Sequence, residues 1–241
     1  MKLKIIGFDG GYPAKNGACS CYLLTLQDGT QIVLDMGNGA LARLQNVIAP
    51  DEIDAIILSH LHYDHMADAC VLRHAIDMHA TFTGVAAKKT KIFLPATPAA
   101  ARAAVLSDKP YYEAVTIEDG ASFALGDATV TFCKMSHPVE AYGVKVVENG
   151  KKFVYTGDTN KKANLQAFLQ DADLALIEAG GVEEDDSYAH LSIKEAKALA
   201  EAAGVKQTIL THIHPLADET IYKQAEDEKT TCARYGAGYD I

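Results

Sequence analysis

A stretch in the first third of the chain decides the fold. Residues 59–65 read Ser-His-Leu-His-Tyr-Asp-His, so three histidines and an aspartate lie within six residues. The apolar residues 55–58 come directly before them and predict a short buried strand, and helix-like spacing of apolar residues follows over 66–79. The polar cluster is therefore expected on the loop that leaves a strand.

The spacing within this loop suits two neighbouring metal ions. His60 and His62 are two residues apart and can point the same way at a turn, so they can bind one ion from one side. Asp64 and His65 follow the bend and can face a second ion. Imidazole and carboxylate are good ligands for borderline divalent metals such as zinc. A lone histidine is usually structural, but this density of ligands on one loop indicates a metal site.

Residues 60–65 match the HxHxDH signature of the metallo-β-lactamase fold, and the chain resembles that family over nearly its whole length. The resemblance implies three further ligands, each after a strand: a His, an Asp in a Gly-Asp pair and a C-terminal His. His137, Asp158 and His212 occupy those places. The implied ligands are His60, His62 and His137 for the first metal and Asp64, His65 and His212 for the second, with Asp158 as the bridge.

Two divalent metal ions are therefore the expected cofactors. Zinc is the first choice, and manganese or iron would also accept this set of imidazoles and carboxylates. Bound zinc lowers the pKa of water to about 7, so the expected nucleophile is a hydroxide shared by the metals, without a separate strong base.

Asp35 comes at the end of the third predicted strand. In the family, an Asp at this place supports the metal site from behind the ligands, where a carboxylate fixes the tautomer and orientation of a ligating imidazole. The alternative is that Asp35 only caps the helix expected to begin near Ala40.

The resemblance to ribonuclease Z and its phosphodiesterase relatives implies a further carboxylate–histidine pair. Glu178, in Ile-Glu-Ala-Gly, and His190, in Ala-His-Leu-Ser, match residues that act together there. A carboxylate keeps a neighbouring imidazole charged, and a charged histidine can steady phosphoryl oxygens and protonate a leaving alkoxide. The alternative is that His190 is a loop residue with no special role. Glu178, His190 and the ligand Asp64 are the candidate catalytic residues.

Two weaker candidates for substrate contacts come from loops near the implied site. Asn16 lies on a loop that resembles the first glycine-rich turn of the family. His214, two residues past His212, is either a rival ligand or a substrate contact. We rank His212 as the ligand, because the first histidine of this motif is usually the one that binds metal.

Composition limits the kinds of protein that the chain can be. Its 241 residues, 49% of them apolar, suffice for one large domain, and we expect a single domain over 1–241. The net charge of −10 argues against non-specific nucleic-acid binding, which requires a basic stripe. Five cysteines without a CxxC pair give no disulfide framework and indicate a reducing cytoplasm. The sequence shows neither a signal peptide nor the roughly 18–20 apolar residues of a membrane span.

Every candidate ligand follows a predicted strand, and the predicted strands form two groups, one on each side of the loop at 60–65. This pattern predicts two mixed sheets packed face to face with helices outside, an αββα sandwich of the α/β class. Loops gather at one edge of such a sandwich, where a site can be built. The remaining expectations are a flexible loop at 81–90, helices over 41–48, 98–106, 192–203 and 218–229, a solvated acidic loop at 183–186, and a short edge strand in the tail.

These features predict a dinuclear metal-dependent hydrolase that acts on a small phosphodiester, either a cyclic nucleotide or a short oligonucleotide. A lactone or thioester hydrolase of the same fold is the alternative, although such relatives generally lack the pair of Glu178 and His190. Processing of tRNA 3′ ends is disfavoured, because only about thirty residues separate Asp158 from His190 and no tRNA-binding arm is visible. A non-catalytic metal-binding module is the least favoured interpretation. No membrane partner is expected, and a homodimer is an option because relatives often dimerise.

Overall fold

Two mixed β-sheets form the centre of the protein, which the computed structural model describes over residues 1–107, 111–181 and 189–241. In chain order the described strands are β1 (Lys2–Gly7), β2 (Cys21–Thr25), β3 (Gln31–Leu34), β4 (Ala55–Ile57), β5 (Thr90–Leu94), β6 (Tyr112–Thr116), β7 (Ser122–Leu125), β8 (Ala128–Lys134), β9 (Tyr142–Glu148), β10 (Lys151–Tyr155), β11 (Leu174–Glu178), β12 (Gln207–Thr211), β13 (Thr230–Cys232) and β14 (Gly238–Asp240). The first sheet has the order β14-β1-β2-β3-β4-β5-β6, and the second has the order β13-β12-β11-β10-β9-β8-β7. In each sheet three neighbouring pairs are antiparallel and three are parallel.

Helices cover the outer faces of both sheets. They are α1 (Ala40–Leu44), α2 (Tyr63–Met66), α3 (Ala69–Thr83), α4 (Ala99–Leu106), α5 (Leu165–Leu169), α6 (Ile193–Ala202) and α7 (Glu219–Ala225), and Pro50–Glu52 forms a 3₁₀ turn. One apolar cluster lies between the two sheets, and two others join each sheet to its own helices. The layers therefore run helix, sheet, sheet, helix, which confirms the predicted αββα sandwich.

The burial of β4 explains why the residues before the loop at 60–65 are continuously apolar. Successive side chains of a strand point to opposite faces. Ala55 and Ile57 belong to the cluster between the sheets, and Ile56 belongs to the cluster under the helices. Because both faces of β4 are buried, its sequence is continuously apolar rather than alternating. The loop at 60–65 therefore leaves a fully buried strand.

The grouping of strands differs from the prediction. β5 and β6 follow the loop at 60–65 in sequence, yet they continue the first sheet, with β5 parallel to β4 and β6 parallel to β5. Parallel neighbours require a crossover, and α3 and α4 provide it on the outer face. The division of strands at the metal loop is therefore wrong, and that loop lies within the order of the first sheet. The predicted edge strand of the tail is confirmed as β14, which pairs with β1.

Several element ends also differ from the sequence expectations. The loop predicted at 81–90 begins later, because α3 continues to Thr83 and ends at Gly84 in the left-handed conformation. α1 ends at Leu44 and α7 at Ala225, both earlier than predicted. α5 and β13 were not predicted, since each is too short to show a clear period in the sequence.

The start of α6 agrees with the sequence. Ser192 accepts a hydrogen bond from the Glu195 amide, and the Glu195 carboxylate accepts one from the Ser192 amide, which confirms the predicted capping box. The acidic loop predicted at 183–186 lies outside the described residues. In the described part of the chain, no helix combines the length and the hydropathy that crossing a bilayer requires.

The cluster between the sheets should dominate stability. Phe132 is fully buried there, and its ring lies 6.0 Å from that of Phe93. Phe132→Ala is expected to lower the free energy of unfolding by about 3–5 kcal/mol, because it removes transfer energy and leaves a cavity. Urea denaturation followed by circular dichroism measures the change. The control is Phe82→Ala, whose ring is 84% exposed and whose loss should cost less than about 0.5 kcal/mol. A cost below about 1 kcal/mol for Phe132→Ala would contradict this account.

Candidate metal centre

The implied metal ligands converge at one edge of the sandwich. They follow strand ends: His60 and His62 after β4, Asp64 and His65 in α2, His137 after β8, Asp158 after β10 and His212 after β12. The parallel strands β10, β11 and β12 are neighbours, so the loops at their carboxyl ends meet. Residues up to 152 positions apart in the chain, from 60 to 212, therefore form two adjoining groups.

The first ligand group consists of His60, His62, His137 and Asp158. Each residue offers one ligand atom, and these atoms all lie within 4.8 Å of one another. His62 Nδ1 lies 3.0 Å from His60 Nε2 and 3.1 Å from His137 Nε2. Nitrogens bound to one tetrahedral zinc at 2.0–2.1 Å are about 3.3 Å apart, so this spacing is close to that of a metal site.

The second ligand group consists of Asp64, His65, Asp158 and His212, all of them buried. His65 Nε2 lies 3.5 Å from Asp64 Oδ2 and 3.3 Å from Asp158 Oδ1. His212 Nδ1 lies 3.3 Å from the same Asp158 oxygen. His212 has a positive φ of 57°, which turns the chain sharply just after β12 and brings the ring back to the site.

Asp158 belongs to both groups and divides its two oxygens between them. Its Oδ1 faces His65 and His212, and its Oδ2 faces His60 at 3.6 Å. A carboxylate can serve two neighbours in this way, whereas an imidazole nitrogen has a single lone pair. The structure thus places Asp158 where the bridging role implied by the sequence requires it.

The partners of Nδ1 in three histidines favour the tautomer that can bind a metal through Nε2. His60 Nδ1 lies 3.1 Å from the hydroxyl of Ser59, His65 Nδ1 lies 2.8 Å from Asp35, and His137 Nδ1 lies 3.3 Å from the Ala189 carbonyl. When Nδ1–H donates a hydrogen bond to such a partner, Nε2 keeps the lone pair that binds a metal. In these three histidines Nε2 is the atom that enters its ligand group.

Buried polar atoms of the second group also fit a cation. Most buried polar side-chain atoms in proteins are hydrogen-bonded. In the described part of the chain, His65 Nε2, Asp158 Oδ1 and His212 Nδ1 are buried without a hydrogen-bond partner. All three meet in one place. Two imidazoles and two carboxylates there form a donor set that zinc, manganese or iron accepts, so the residues fit the metal that the sequence implied.

Burial and charge set the protonation of the two groups differently. The pKa values of the first group's three histidines are lowered, chiefly by burial, and that of His137 falls to about 4. Burial also acts to lower the pKa of His65, but the charges of Asp158, Asp64 and Asp35 raise it well above the usual value. The histidines of the first group are therefore neutral at neutral pH, whereas His65 in the second group carries a second ring proton and a positive charge when no metal competes.

The structure places Asp35 behind the ligands rather than at a helix end. Its carboxylate accepts hydrogen bonds from His65 Nδ1 and from the hydroxyl of Tyr155 at 2.6 Å. It also accepts both the amide and the hydroxyl of Ser59, at 2.6 and 2.7 Å. The N-cap of α1 is Gly39, so the alternative that Asp35 caps this helix is wrong.

The structure also brings Glu178 and His190 together beside Asp158. His190 Nδ1 lies 3.0 Å from Glu178 Oε1 and 3.8 Å from Asp158 Oδ2. Its ring stacks on that of His212, with centroids 4.8 Å apart and an interplanar angle of 21°. Burial acts to lower the pKa of His190, but the hydrogen bond and charge of Glu178 raise it to about 9. His190 thus lies against the second ligand group as a charged side chain.

The two weaker candidates lie outside both ligand groups. Asn16 is exposed, and its carbonyl accepts a hydrogen bond from Arg43. His214 Nδ1 accepts the Leu216 amide, and its ring meets the edge of Tyr12 at 5.3 Å. His212, rather than His214, therefore lies with the ligands, as the sequence ranking predicted. A role for Asn16 or His214 in substrate binding stays a prediction.

Three contributors were missed by the sequence reasoning. Ser59 links Asp35 to His60, Tyr155 donates to Asp35, and the Gly11 amide donates to Asp64 Oδ2 at 2.8 Å. The paired glycines before Tyr12 were a signal for a close backbone approach. For Tyr155 the sequence offers no signal, because it ends a strand in the other sheet.

Comparison with known proteins agrees with this geometry. A family model described as "Beta-lactamase superfamily domain" matches residues 30–213. The probable metallo-hydrolase YhfI of Bacillus subtilis is 30% identical over 229 residues, which cover 94% of this chain and 93% of the relative. The crystal structure of YhfI matches with a TM-score of 0.88 at 27% identity, over 99% of this chain and 98% of that one.

Two further matches are more distant. A ribonuclease Z of Exiguobacterium sp. is 26% identical over 272 aligned positions, which cover 88% of each chain. The crystal structure of a diphosphatase from the PhnP family matches with a TM-score of 0.75 at 18% identity, over 100% of this chain and 97% of that one. At that identity the second match shows a shared fold alone.

The contrast in protonation predicts a contrast in metal binding. His65 must lose its second ring proton to bind a metal, so the second group should release one proton for each ion that it binds at pH 7. Its metal affinity should fall about tenfold for each unit of pH below 7. The first group should release none from its histidines. Calorimetric titration of metal-free protein with zinc, in two buffers of different ionisation enthalpy, counts the protons.

A variant separates this proton from one lost by bound water. Asp35→Asn removes a charge that raises the pKa of His65. Fewer protons should therefore be released when the second ligand group binds its ion. Equal proton release at both groups, or release unchanged by Asp35→Asn, would contradict the assignment.

Proposed function

Because the chain belongs to the β-lactamase superfamily, in its ribonuclease Z-like group of metallo-hydrolases, we propose that it hydrolyses small phosphodiesters. The observation that supports this most is the pair of Glu178 and His190 beside Asp158. When a phosphodiester is hydrolysed, the P–O bond to one alcohol breaks, and that alcohol is a poor leaving group as an alkoxide unless it is protonated. Thioesters and lactones need less help, so this pair favours the phosphodiester.

Glu178 is built as a rigid support for His190. It is fully buried, and besides His190 it accepts the amides of Thr159 at 2.8 Å and Gly180 at 3.0 Å. These bonds come from the loops after β10 and β11, so the carboxylate cannot rotate without losing them. The imidazole of His190 is thereby held with Nδ1 on the carboxylate and its ring against His212.

The protein's own groups then have distinct tasks. The two ligand groups would hold divalent ions, which when bound polarise the phosphoryl group and lower the pKa of water to about 7. His190 stabilises negative charge on the phosphoryl oxygens and passes a proton from Nε2 to the leaving oxygen. Glu178 fixes the ring and keeps it protonated near neutral pH. Because the residues of the second group are buried, water screens the charges of the site weakly, and electrostatic interactions with the substrate are strong there.

Charge and length support a small substrate. The chain carries a net charge of −10, which disfavours a long polyanion. The alignment with the Exiguobacterium ribonuclease Z spans 272 positions, more than the 241 residues of this chain, so the relative carries insertions that this chain lacks. The proposed substrates are therefore a cyclic nucleotide or a short oligonucleotide rather than tRNA.

Removal of His190 should affect turnover far more than metal content. His190→Ala is expected to lower kcat about 10²–10⁴-fold on a phosphodiester with an alkyl leaving group, the usual contribution of a general acid. On bis-p-nitrophenyl phosphate, whose leaving group needs no proton, the loss should be much smaller. Steady-state kinetics on both substrates, with elemental analysis of the purified proteins, measures the difference.

The matched control is His74→Ala, an exposed histidine on α3 that should leave kinetics and metal content unchanged. Equal losses on the two substrates would assign His190 to phosphoryl contact rather than proton transfer. Unchanged kinetics on both would overturn its role.

A substrate panel tests the reaction class itself. Phosphodiesters should be hydrolysed with a larger kcat/KM than lactones or S-lactoylglutathione by the same zinc-loaded preparation. A preference for the carboxylic ester or thioester substrates would favour the alternative hydrolase. A metal-loaded protein that hydrolyses no member of the panel would favour a non-catalytic module.

A further inference from the structure

The loop at residues 9–18, which leaves β1, reaches the second ligand group through two glycines. The Gly11 amide donates to Asp64 Oδ2 at 2.8 Å. A Cβ on Gly10 would lie 2.7 Å from His212 Cδ2, so the bare backbone of Gly10 packs directly on that ring. Both contacts fall on ligands of the second group. The position of this loop therefore bears on how Asp64 and His212 are held.

The loop is closed around a hydroxyl from the far end of the chain. Asp9 is only 3% exposed, and its Oδ2 accepts the hydroxyl of Tyr235 at 2.6 Å and the Ala14 amide at 2.7 Å. The same hydroxyl accepts the Ala18 amide at 3.1 Å. A Cβ on Gly17 would lie 2.2 Å from Asp9 Oδ2 and 2.4 Å from the Tyr235 oxygen, so the loop wraps this hydrogen bond tightly.

Tyr235 is itself held on both sides. Its ring centroid lies 4.4 Å from that of Phe8, and the guanidinium of Arg43 lies 4.0 Å above it. Arg43 also donates to the Ile6 carbonyl at 3.0 Å and the Asn16 carbonyl at 2.9 Å. Tyr235 therefore has little freedom to move, and its hydroxyl is a fixed point for the loop.

We propose that the hydrogen bond between Asp9 and Tyr235 positions the loop at 9–18 and thereby sets the metal affinity of the second ligand group alone. Tyr235 and Asp9 belong to neither ligand group, so they act through Gly10 and Gly11 as positioning residues. Without this bond the loop would populate more conformations, and ordering it would subtract from the binding free energy. Outer hydrogen bonds that orient ligands typically change metal affinity 10–100-fold.

The test is Tyr235→Phe, which removes one hydroxyl and keeps the ring between Phe8 and Arg43. Metal-free protein is titrated with zinc in competition with a chromophoric chelator, which reports two affinities without any substrate. The weaker binding of the variant should be confined to one of the two ions, with a loss of about tenfold or more. The affinity for the other ion should equal that of the wild type.

The matched control is Tyr239→Phe, the same chemical change on the partly buried edge strand β14, which should alter neither affinity. Thermal unfolding of the metal-free proteins checks that each variant is folded. If Tyr235→Phe does not fold, Asp9→Asn replaces it. This variant should lower the affinity for the same ion, because an amide oxygen accepts a weaker hydrogen bond than a carboxylate does.

Three results would overturn the proposal. They are unchanged affinities in the folded variant, equal weakening for both ions, and a wild type that binds a single ion. The proposal concerns ligand geometry and not the bond that is cleaved, so none of these results depends on the proposed phosphodiesterase activity.

Discussion

The buried carboxylate of Asp35 is the point at which the two sheets and the metal loop are joined. It lies at the end of β3 and accepts both the amide and the hydroxyl of Ser59, which begins the loop after the neighbouring strand β4. It also accepts the hydroxyl of Tyr155, at the end of β10 in the other sheet, and Nδ1 of His65. A buried carboxylate without such partners would be very costly. The hydrogen bonds of Asp35 therefore connect the two sheets and also orient the ring of His65.

This constraint explains why the site lies at an edge of the sandwich rather than within it. A buried ligand needs partners from several segments, and only the loops at strand ends can supply them from both sheets. Glu178 repeats the arrangement of Asp35, because each lies at the carboxyl end of a strand, is fully buried and is hydrogen-bonded to one histidine.

The sequence predicted what is encoded in local spacing. The cluster at 60–65 leaves a buried strand and precedes a helix as expected, although Tyr63–Met66 form a short helix within it and the longer helix begins only at Ala69. The capping box at Ser192 forms as well. The ordered set of later ligands was also accessible, because each follows a recognisable strand. The partner of a strand was not, since β5 and β6 join the first sheet through competition among strands that no local pattern records. Contacts such as that of Tyr155 with Asp35 join positions 120 residues apart and leave no trace in either segment.

The two ligand groups are built alike but differ in what contacts them. Each takes two of its four members from residues 60–65 and the other two from turns after later strands, which are those of His137 and Asp158 in the first group and those of Asp158 and His212 in the second. The second group is also contacted, through Gly10 and Gly11, by the loop that is tied to residue 235. The second group is therefore the part of the centre that the far end of the chain reaches through this loop, and it is also the group against which His190 stacks. A shift of the loops around His212 would then move this implied ligand together with His190, the proposed proton donor.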